Sequence, residues 1–253
     1  MLDHETKRKL RLMNVGEFID AIELQEGDPA AIGLTFDERF RMATDRAYQQ
    51  KYNADVARLI KNAKLRLPKA DVHDVFYHPD RAINRGVINE LATCRYIEEH
   101  KSVVIQGYTS TGKTYLGCAL AKEACRHQYK TKYIRTPDLL SEFNEKSVEI
   151  GGKEKVLKKY AAFRVLVLDE WLIKDLSKAE LEFLFELSER RFDCTSNIFC
   201  TLYRKVDWVR RLGKGTYAES ISERYDHTTI TIETGDMNMR ARAAHSISEP
   251  GLK

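Results

Sequence analysis

With 253 residues, 43% hydrophobic and 32% charged, the chain can hold one large domain or a compact domain with an appendage, and it can bury a real core. Its net charge of +4, from 42 basic and 38 acidic residues, is too mild as a total to name a polyanion partner. No apolar run is long enough to span a bilayer and none follows a basic N-terminus, so neither a membrane partner nor export is expected, and the expected location is cytoplasmic.

In chain order, Asn14 followed by Glu17 reads as a helix start, with Val15, Phe18, Ile19 and Ile22 at helical spacing. Thr35 and Glu38 make a capping box. Phe36, Phe40, Ala43 and Ala47 then recur on one side of a helix that runs, with a break allowed, as far as Pro68. Residues 1–68 therefore read as a small all-helical N-terminal domain. The stretch 69–80, between Pro68 and Pro79 and without steady periodicity, is the expected linker, and a helix ending near His100 follows. From there short β-branched runs alternate with helices: VVIQ (103–106), TKYIR (131–135), VLVLD (165–169), NIFCT (197–201) and TITI (229–232). That alternation predicts an α/β fold, a five-stranded parallel sheet flanked by helices, over residues 81–253.

Between the first strand and its helix, Gly107, Gly112, Lys113 and Thr114 fit G-x-x-x-x-G-K-[ST]. This spacing gives a loop whose backbone N–H groups turn toward phosphate oxygens, with the helix N-terminus adding its positive end. The segment Gly107, Tyr108, Thr109, Ser110, Thr111, Gly112, Lys113, Thr114 and Tyr115 is thus the candidate ATP-binding segment. Lys113 would neutralise the β- and γ-phosphates, and the Thr114 hydroxyl would ligate Mg²⁺. A magnesium site needs a second carboxylate, and RVLVLDEW supplies one where a buried strand ends. Asp169 is the candidate metal ligand and Glu170 the candidate general base for the attacking water. Trp171 reads as a packing residue.

The charge distribution is uneven. Residues 51–69, 153–164 and 204–214 carry local excesses of five, four and four positive charges. Lys51, Arg58, Lys61 and Lys64 in the first, and Lys153, Lys155, Lys158 and Lys159 in the second, are the candidate contacts to DNA phosphates. Five scattered cysteines without a C-x-x-C pair indicate neither a zinc ribbon nor a disulfide framework.

Taken together, LTFDERF, KLRLPKA, the long segment from LATCRYIEEHK through the phosphate loop to CRHQY, VLVLDE and ISERYDH resemble the IstB-like ATPases. These are helpers of insertion-sequence transposition, related to DnaC-type helicase loaders within the AAA+ class. The resemblance covers nearly the whole chain. It implies an AAA+ P-loop core over 81–253, and an N-terminal domain that binds DNA or a partner. It also implies an ATP-promoted homo-oligomer on duplex DNA that recruits a transposase. It places Thr201 at the sensor position and Arg224, in SERYDH, at the arginine finger that completes a neighbouring subunit's site. Arg240 falls where a second sensor would act. Tyr108 and Ser110 depart from the usual loop residues at variable positions, and WLIKDL replaces a Gly-containing turn after the acidic pair. A DnaC-like helicase loader shares the ATPase core and is the alternative reading. Residues 1–68 contain no cysteine and one histidine, His4, so they lack the zinc module some loaders carry. A nucleotide-gated DNA binder without turnover has no use for Glu170. A small-molecule kinase would need an acceptor lid, for which there is no sign.

Overall fold

A computed structural model describes residues 2–31 and 33–242; Met1 and the end of the expected ATPase domain, 243–253, lie outside the described residues. The chain divides into two compact units, Met1–Arg58 and Leu59–Lys253.

The first unit is helical. Helix α1 (His4–Leu12) is capped by Asp3, whose carboxylate accepts from the Thr6 amide at 2.9 Å. Helix α2 (Glu17–Glu26) begins after Gly16, not at Asn14. Asn14 sits in left-handed backbone (φ 58°) and caps nothing; its carbonyl accepts from Lys51 Nζ at 2.9 Å instead. The Thr35–Glu38 box forms as expected, with the Thr35 amide donating to Glu38 at 2.8 Å. It opens α3 (Phe36–Ala63), which runs unbroken and stops where Lys64 turns left-handed (φ 56°), short of Pro68.

The second unit begins within the last turns of α3. Helices α4 (Arg85–Ala92) and α5 (Arg95–Glu98) replace the single helix expected before His100, separated by Cys94 at φ 59°. The sheet comprises β1 (Ser102–Gln106), β2 (Thr131–Arg135), β3 (Val165–Trp171), β4 (Ser196–Thr201) and β5 (Thr229–Glu233), all parallel, in the order β2-β3-β4-β1-β5. Every expected strand is present. Buried on both faces, the strands send alternate residues to two cores. Val103, Ile105, Val165, Val167 and Ile198 meet α6 (Lys113–Arg126). Val104, Leu166, Leu168 and Phe199 face the other side, against α7 (Thr136–Ser147), α8 (Gly152–Ala161), α9 (Lys178–Arg191), α10 (Trp208–Leu212) and α11 (Thr216–Asp226). Trp171 is buried in the second core, its ring 4.9 Å from Phe199 and 5.7 Å from Trp208.

The expected linker is a packed part of this unit, and the unit boundary falls ten residues before the expected one. Ala70, Val72 and Val75 enter the first core. Between them Asp71 is clamped to α6 by Arg126 at 2.6 Å and Lys122 at 3.1 Å. The stretch lacks periodicity because it is irregular; local turn bonds shape it and long-range contacts tie it to the core. Hydrogen bonds from Arg126 hold the Asp71 carboxyl well below the ordinary carboxylate range. A depressed carboxyl stabilises the fold fully above its unfolded pKa and loses that contribution as pH falls below it. Asp71→Asn should therefore cost about 2 kcal/mol at neutral pH, the scale of a hydrogen bond to a charged group. Denaturant unfolding of parent and variant should converge as pH drops below about 4; a difference constant with pH would assign the clamp no charge.

Candidate functional site

The loop after β1 is held from behind. Gly107 has φ 153°, and a Cβ there would lie 2.0 Å from Thr234 Oγ1, so only glycine fits. The Thr111 and Thr234 hydroxyls pair at 2.5 Å, Arg81 Nη2 donates to the Thr111 carbonyl at 2.9 Å, and the Met239 amide donates to the Ser110 carbonyl at 2.8 Å. Gly112, in left-handed backbone, then starts α6, whose first turn carries no acidic residue to neutralise its positive end. Within this frame Lys113 Nζ donates to the carbonyls of Gly107 at 2.9 Å and Tyr108 at 2.6 Å. Burial lowers its pKa.

The sheet brings the acidic pair to the same place. Asp169 is buried and accepts from three donors: Thr114 Oγ1 at 2.9 Å, the Tyr133 hydroxyl at 2.6 Å, and the Glu170 amide at 3.0 Å. The register of β3 on β4 shifts between Leu168 and Trp171, and Glu170 sits in this bulge at φ 56°. A left-handed glutamate in a bulge is a strained arrangement that re-aims one side chain. Here it separates two consecutive carboxylates: Asp169 points into the sheet's end, while Glu170, a quarter exposed, meets Arg135 Nη2 at 2.7 Å and Arg66 Nη1 at 3.5 Å. The Arg135 hydrogen bond, with Arg66 nearby, lowers the Glu170 pKa.

Lys113, Thr114, Asp169, Glu170 and Thr201 line one cavity of about 150 Å³ with Thr109 and Ser110, and Arg240 forms part of its wall. A second, mostly apolar cleft of about 490 Å³, beside Leu67, Tyr115 and Met239, shares Lys113, Thr114 and Arg240. Thr201 is buried, its hydroxyl donating to the Trp171 carbonyl at 3.1 Å and accepting from the Tyr203 amide at 3.1 Å. Arg224 lies outside this cavity. It pairs with Glu189, donates to the Ser220 hydroxyl at 2.7 Å, and covers the Phe185 ring at 5.2 Å. Its partner is therefore neither of its sequence neighbours Glu223 and Asp226.

The basic segments differ in what they leave available. Lys51, Arg58 and Lys61 lie on α3, with Lys51 bonded to Asn14 and Arg58 to Asp55. On α8, Lys158 and Lys159 pair with Glu154 and Glu142, whereas the side chains of Lys153 and Lys155, like those of Lys61 and Lys64, make no hydrogen bond or ion pair among the described residues. In 204–214 most charge is used internally: Lys205 donates to the carbonyls of Tyr225 and Asp226, and Arg211 reaches the Leu172 carbonyl and Asp175. Sequence reasoning missed Tyr133, Arg135, Arg66 and Arg81. Only Arg135 left a trace, since the last residue of a strand parallel to β3 comes level with Asp169.

A family model for IstB-like ATP binding proteins matches residues 6–246. The chain belongs to that family. An ATP-binding protein of insertion sequence IS1162 from Pseudomonas fluorescens is 31% identical over 198 residues, 78% of this chain and 85% of that one. An insertion sequence ATP-binding protein of Sinorhizobium fredii is 27% identical over 240 residues, 95% and 96% of the two chains. Among solved structures, the DnaC helicase loader aligns with a TM-score of 0.55 at 22% identity, over 65% of this chain and 96% of that one. DnaI gives 0.53 at 23% identity, over 68% and 91%. The replication initiator DnaA bound to AMPPCP and single-stranded DNA gives 0.57 at 18%, over 74% and 57%. These likenesses establish the AAA+ P-loop fold of the second unit. Among the described residues no helix is long and apolar enough to cross a membrane.

We propose that Lys113, whose ammonium rests on two loop carbonyls at the start of α6, is the cation that meets the terminal phosphates. Lys113→Ala should lower ATP affinity by about 10²-fold or more, the size of losing a charge-assisted contact at a partly buried site. Fluorescence titration with a labelled nucleotide measures it, and parent-like affinity would place the phosphates elsewhere.

Proposed function

We propose that this IstB-like protein hydrolyses ATP, that its nucleotide state governs assembly of several copies on duplex DNA, and that the assembly recruits a transposase to that DNA, hydrolysis then driving release. The observation that carries the reading is the bulge that turns Glu170 away from Asp169 beside the Thr114 hydroxyl. A site that only held nucleotide would have no need of a second carboxylate in strained backbone.

In this reading Lys113 exchanges its bonds to the Gly107 and Tyr108 carbonyls for phosphate oxygens, and the apolar cleft beside Tyr115 takes the nucleoside. Thr114 and Asp169 offer a hydroxyl and a carboxylate 2.9 Å apart, hard oxygen donors that suit Mg²⁺ completed by phosphates and water. Consistent with so few protein ligands, no cluster of three or more His, Cys, Asp or Glu occurs among the described residues. Thr114 and Asp169 would hold such an ion, which would supply positive charge to the terminal phosphates. Glu170 takes the proton of the attacking water, and Thr201, in the lining of the same cavity, acts as the sensor. Arg240 reaches the nucleotide between the two clefts. Arg224 completes a neighbouring copy's site after leaving Glu189. The lysines of α3 and α8 meet DNA phosphates.

The alternative, a replicative helicase loader, is favoured by the fold likeness to DnaC and DnaI. Those alignments cover about two thirds of the chain, whereas similarity to insertion-sequence proteins runs over 95% of it and includes the N-terminal helices. The transposition reading accounts for more of the molecule.

Glu170→Gln should keep ATP affinity and lose about 10²-fold or more of turnover, as expected for a general base. Phosphate release under saturating ATP measures this, and parent-like turnover would remove Glu170 from the chemistry. Arg224→Ala should bind ATP normally and lose about 10³-fold of turnover. Mixing it with Lys113→Ala should restore part of the activity, since some interfaces regain an intact loop and an intact arginine. Glu189→Ala breaks the same internal pair but keeps the guanidinium, so it should retain turnover. Equal loss in Arg224→Ala and Glu189→Ala, without recovery on mixing, would make Arg224 a structural residue.

A further inference from the structure

The turn after β3 is held in a backbone shape that its residues do not favour. The Ile173 amide donates to the Glu170 carbonyl at 3.2 Å and closes a four-residue turn whose third residue, Leu172, is left-handed at φ 60°. Turns of this kind reserve that position for glycine or asparagine, because in left-handed backbone a Cβ crowds the following carbonyl oxygen. Leu172 is nevertheless a buried core residue. Two ties act on successive carbonyls of the turn. Thr201, at the end of β4, donates its hydroxyl to the Trp171 carbonyl at 3.1 Å. Arg211, on α10, brings Nη2 to 3.1 Å and Nε to 3.3 Å of the Leu172 carbonyl. Its Nη1 meets Asp175 at 3.1 Å, and its guanidinium carbon lies 4.7 Å from the centre of the Tyr203 ring, so the fork has a fixed direction.

We propose that Arg211 is a positioning residue for ATP hydrolysis: its hold on the Leu172 carbonyl keeps the turn after β3, and with it the Glu170 side chain, in place at the cavity. The inference rests on the ATPase reading above. Left to itself, Leu172 would return to the right-handed region, the lower-energy one for a residue with a Cβ. The two common four-residue turns differ in the orientation of their central peptide, here the one between Trp171 and Leu172, so that return turns the Trp171 carbonyl off Thr201. Glu170, the first residue of the turn and itself left-handed, is displaced with it. Arg211 opposes the change with a charge-assisted bond from a side chain only 22% exposed. The guanidinium shape matters, because two of its N–H groups converge on one oxygen while a third stays on Asp175, which a lysine's single ammonium cannot reproduce. The Tyr203 ring under Arg211 belongs to the residue whose amide donates to the Thr201 hydroxyl at 3.1 Å. Thr201 and Glu170, which line the same cavity, are thus tied to each other through backbone that Arg211 secures.

The test uses the full chain, with phosphate release measured at saturating ATP and nucleotide affinity measured by fluorescence titration. Arg211→Ala should lose between about tenfold and 10²-fold of turnover, the scale of misplacing a reacting group, at unchanged ATP affinity, since Lys113 and Thr114 stand on another element. Arg211→Lys should recover only a small part of the loss. Asp175→Asn removes the exposed ion pair but leaves the hold on the carbonyl, so it should turn over at the parent's rate. Adding Leu172→Gly to Arg211→Ala should restore part of the turnover, because glycine takes the left-handed position without strain, even though the buried side chain is lost and stability to denaturant falls. A purely structural Arg211 requires the opposite, a second loss on top of the first. Parent-like turnover of Arg211→Ala, equal losses in Arg211→Ala and Asp175→Asn, or a parallel loss of turnover and ATP affinity overturns the positioning role and leaves the proposed function standing. So does a double variant that binds ATP and is no faster than Arg211→Ala; should the double variant fail to bind ATP, Arg211→Ala against Asp175→Asn decides alone. A parent without turnover overturns both.

Discussion

The carboxylate of Asp169 is the point to which the rest of the site is tied. A carboxylate buried at the end of a strand must be supplied with hydrogen-bond donors. Three arrive from different elements: the Thr114 hydroxyl from α6, the Tyr133 hydroxyl from β2, and the Glu170 amide from the next residue of β3. The first fixes the phosphate-loop helix to the centre of the sheet, and the second fixes the sheet's edge strand. The third is available only because the chain turns left-handed at Glu170. The hydrogen bonding of one buried carboxylate is thus tied to both the bulge and the direction in which the neighbouring carboxylate points.

The same turn gives two adjacent acids opposite surroundings. Asp169 is met by neutral hydroxyls and an amide, partners that a divalent cation can replace without leaving a second charge uncompensated. Glu170 is met by cations, and a carboxylate held by two guanidinium groups is stabilised in its ionised form and is a weaker proton acceptor. Position in a bulge therefore gives two consecutive carboxylates different partners, and the Glu170 side chain is held by Arg135 and Arg66. Among the described residues, neither Arg135 nor Arg66 bonds to the loop residues Gly107 to Gly112, so a change at these arginines alters the surroundings of Glu170 and leaves the loop's own bonds in place.

What could be read from the sequence was what local geometry encodes. The phosphate loop is legible because glycine spacing and the Lys-Thr pair serve a backbone shape only nine residues long, and the five strands because buried parallel strands need continuous β-branched runs. The Thr35–Glu38 box is a three-residue device and formed as written. Asn14 has the same short pattern with Glu17, but its backbone turns the other way and its carbonyl serves Lys51, so side-chain spacing alone was misleading there. The boundary after Arg58 and the packing of 69–80 escaped because they depend on Asp71 meeting α6 some fifty residues later. Arg135 and the internal partner of Arg224 escaped for the same reason: Glu170 and Glu189 meet these arginines only once the sheet and α9 exist.

Positive charge shows why segment totals are a weak guide to a binding surface. The 204–214 run is as basic as 153–164, yet Lys205 and Arg211 act as internal ties on backbone carbonyls. Buried Arg191 does the same for the carbonyls of Tyr160, Phe163 and Ser196. A cation engaged in this way cannot be surrendered to a polyanion without opening the fold. Arg66 and Arg135 are a third kind, partly exposed yet paired with the Glu170 carboxylate, so exposure alone does not make a cation free for a polyanion.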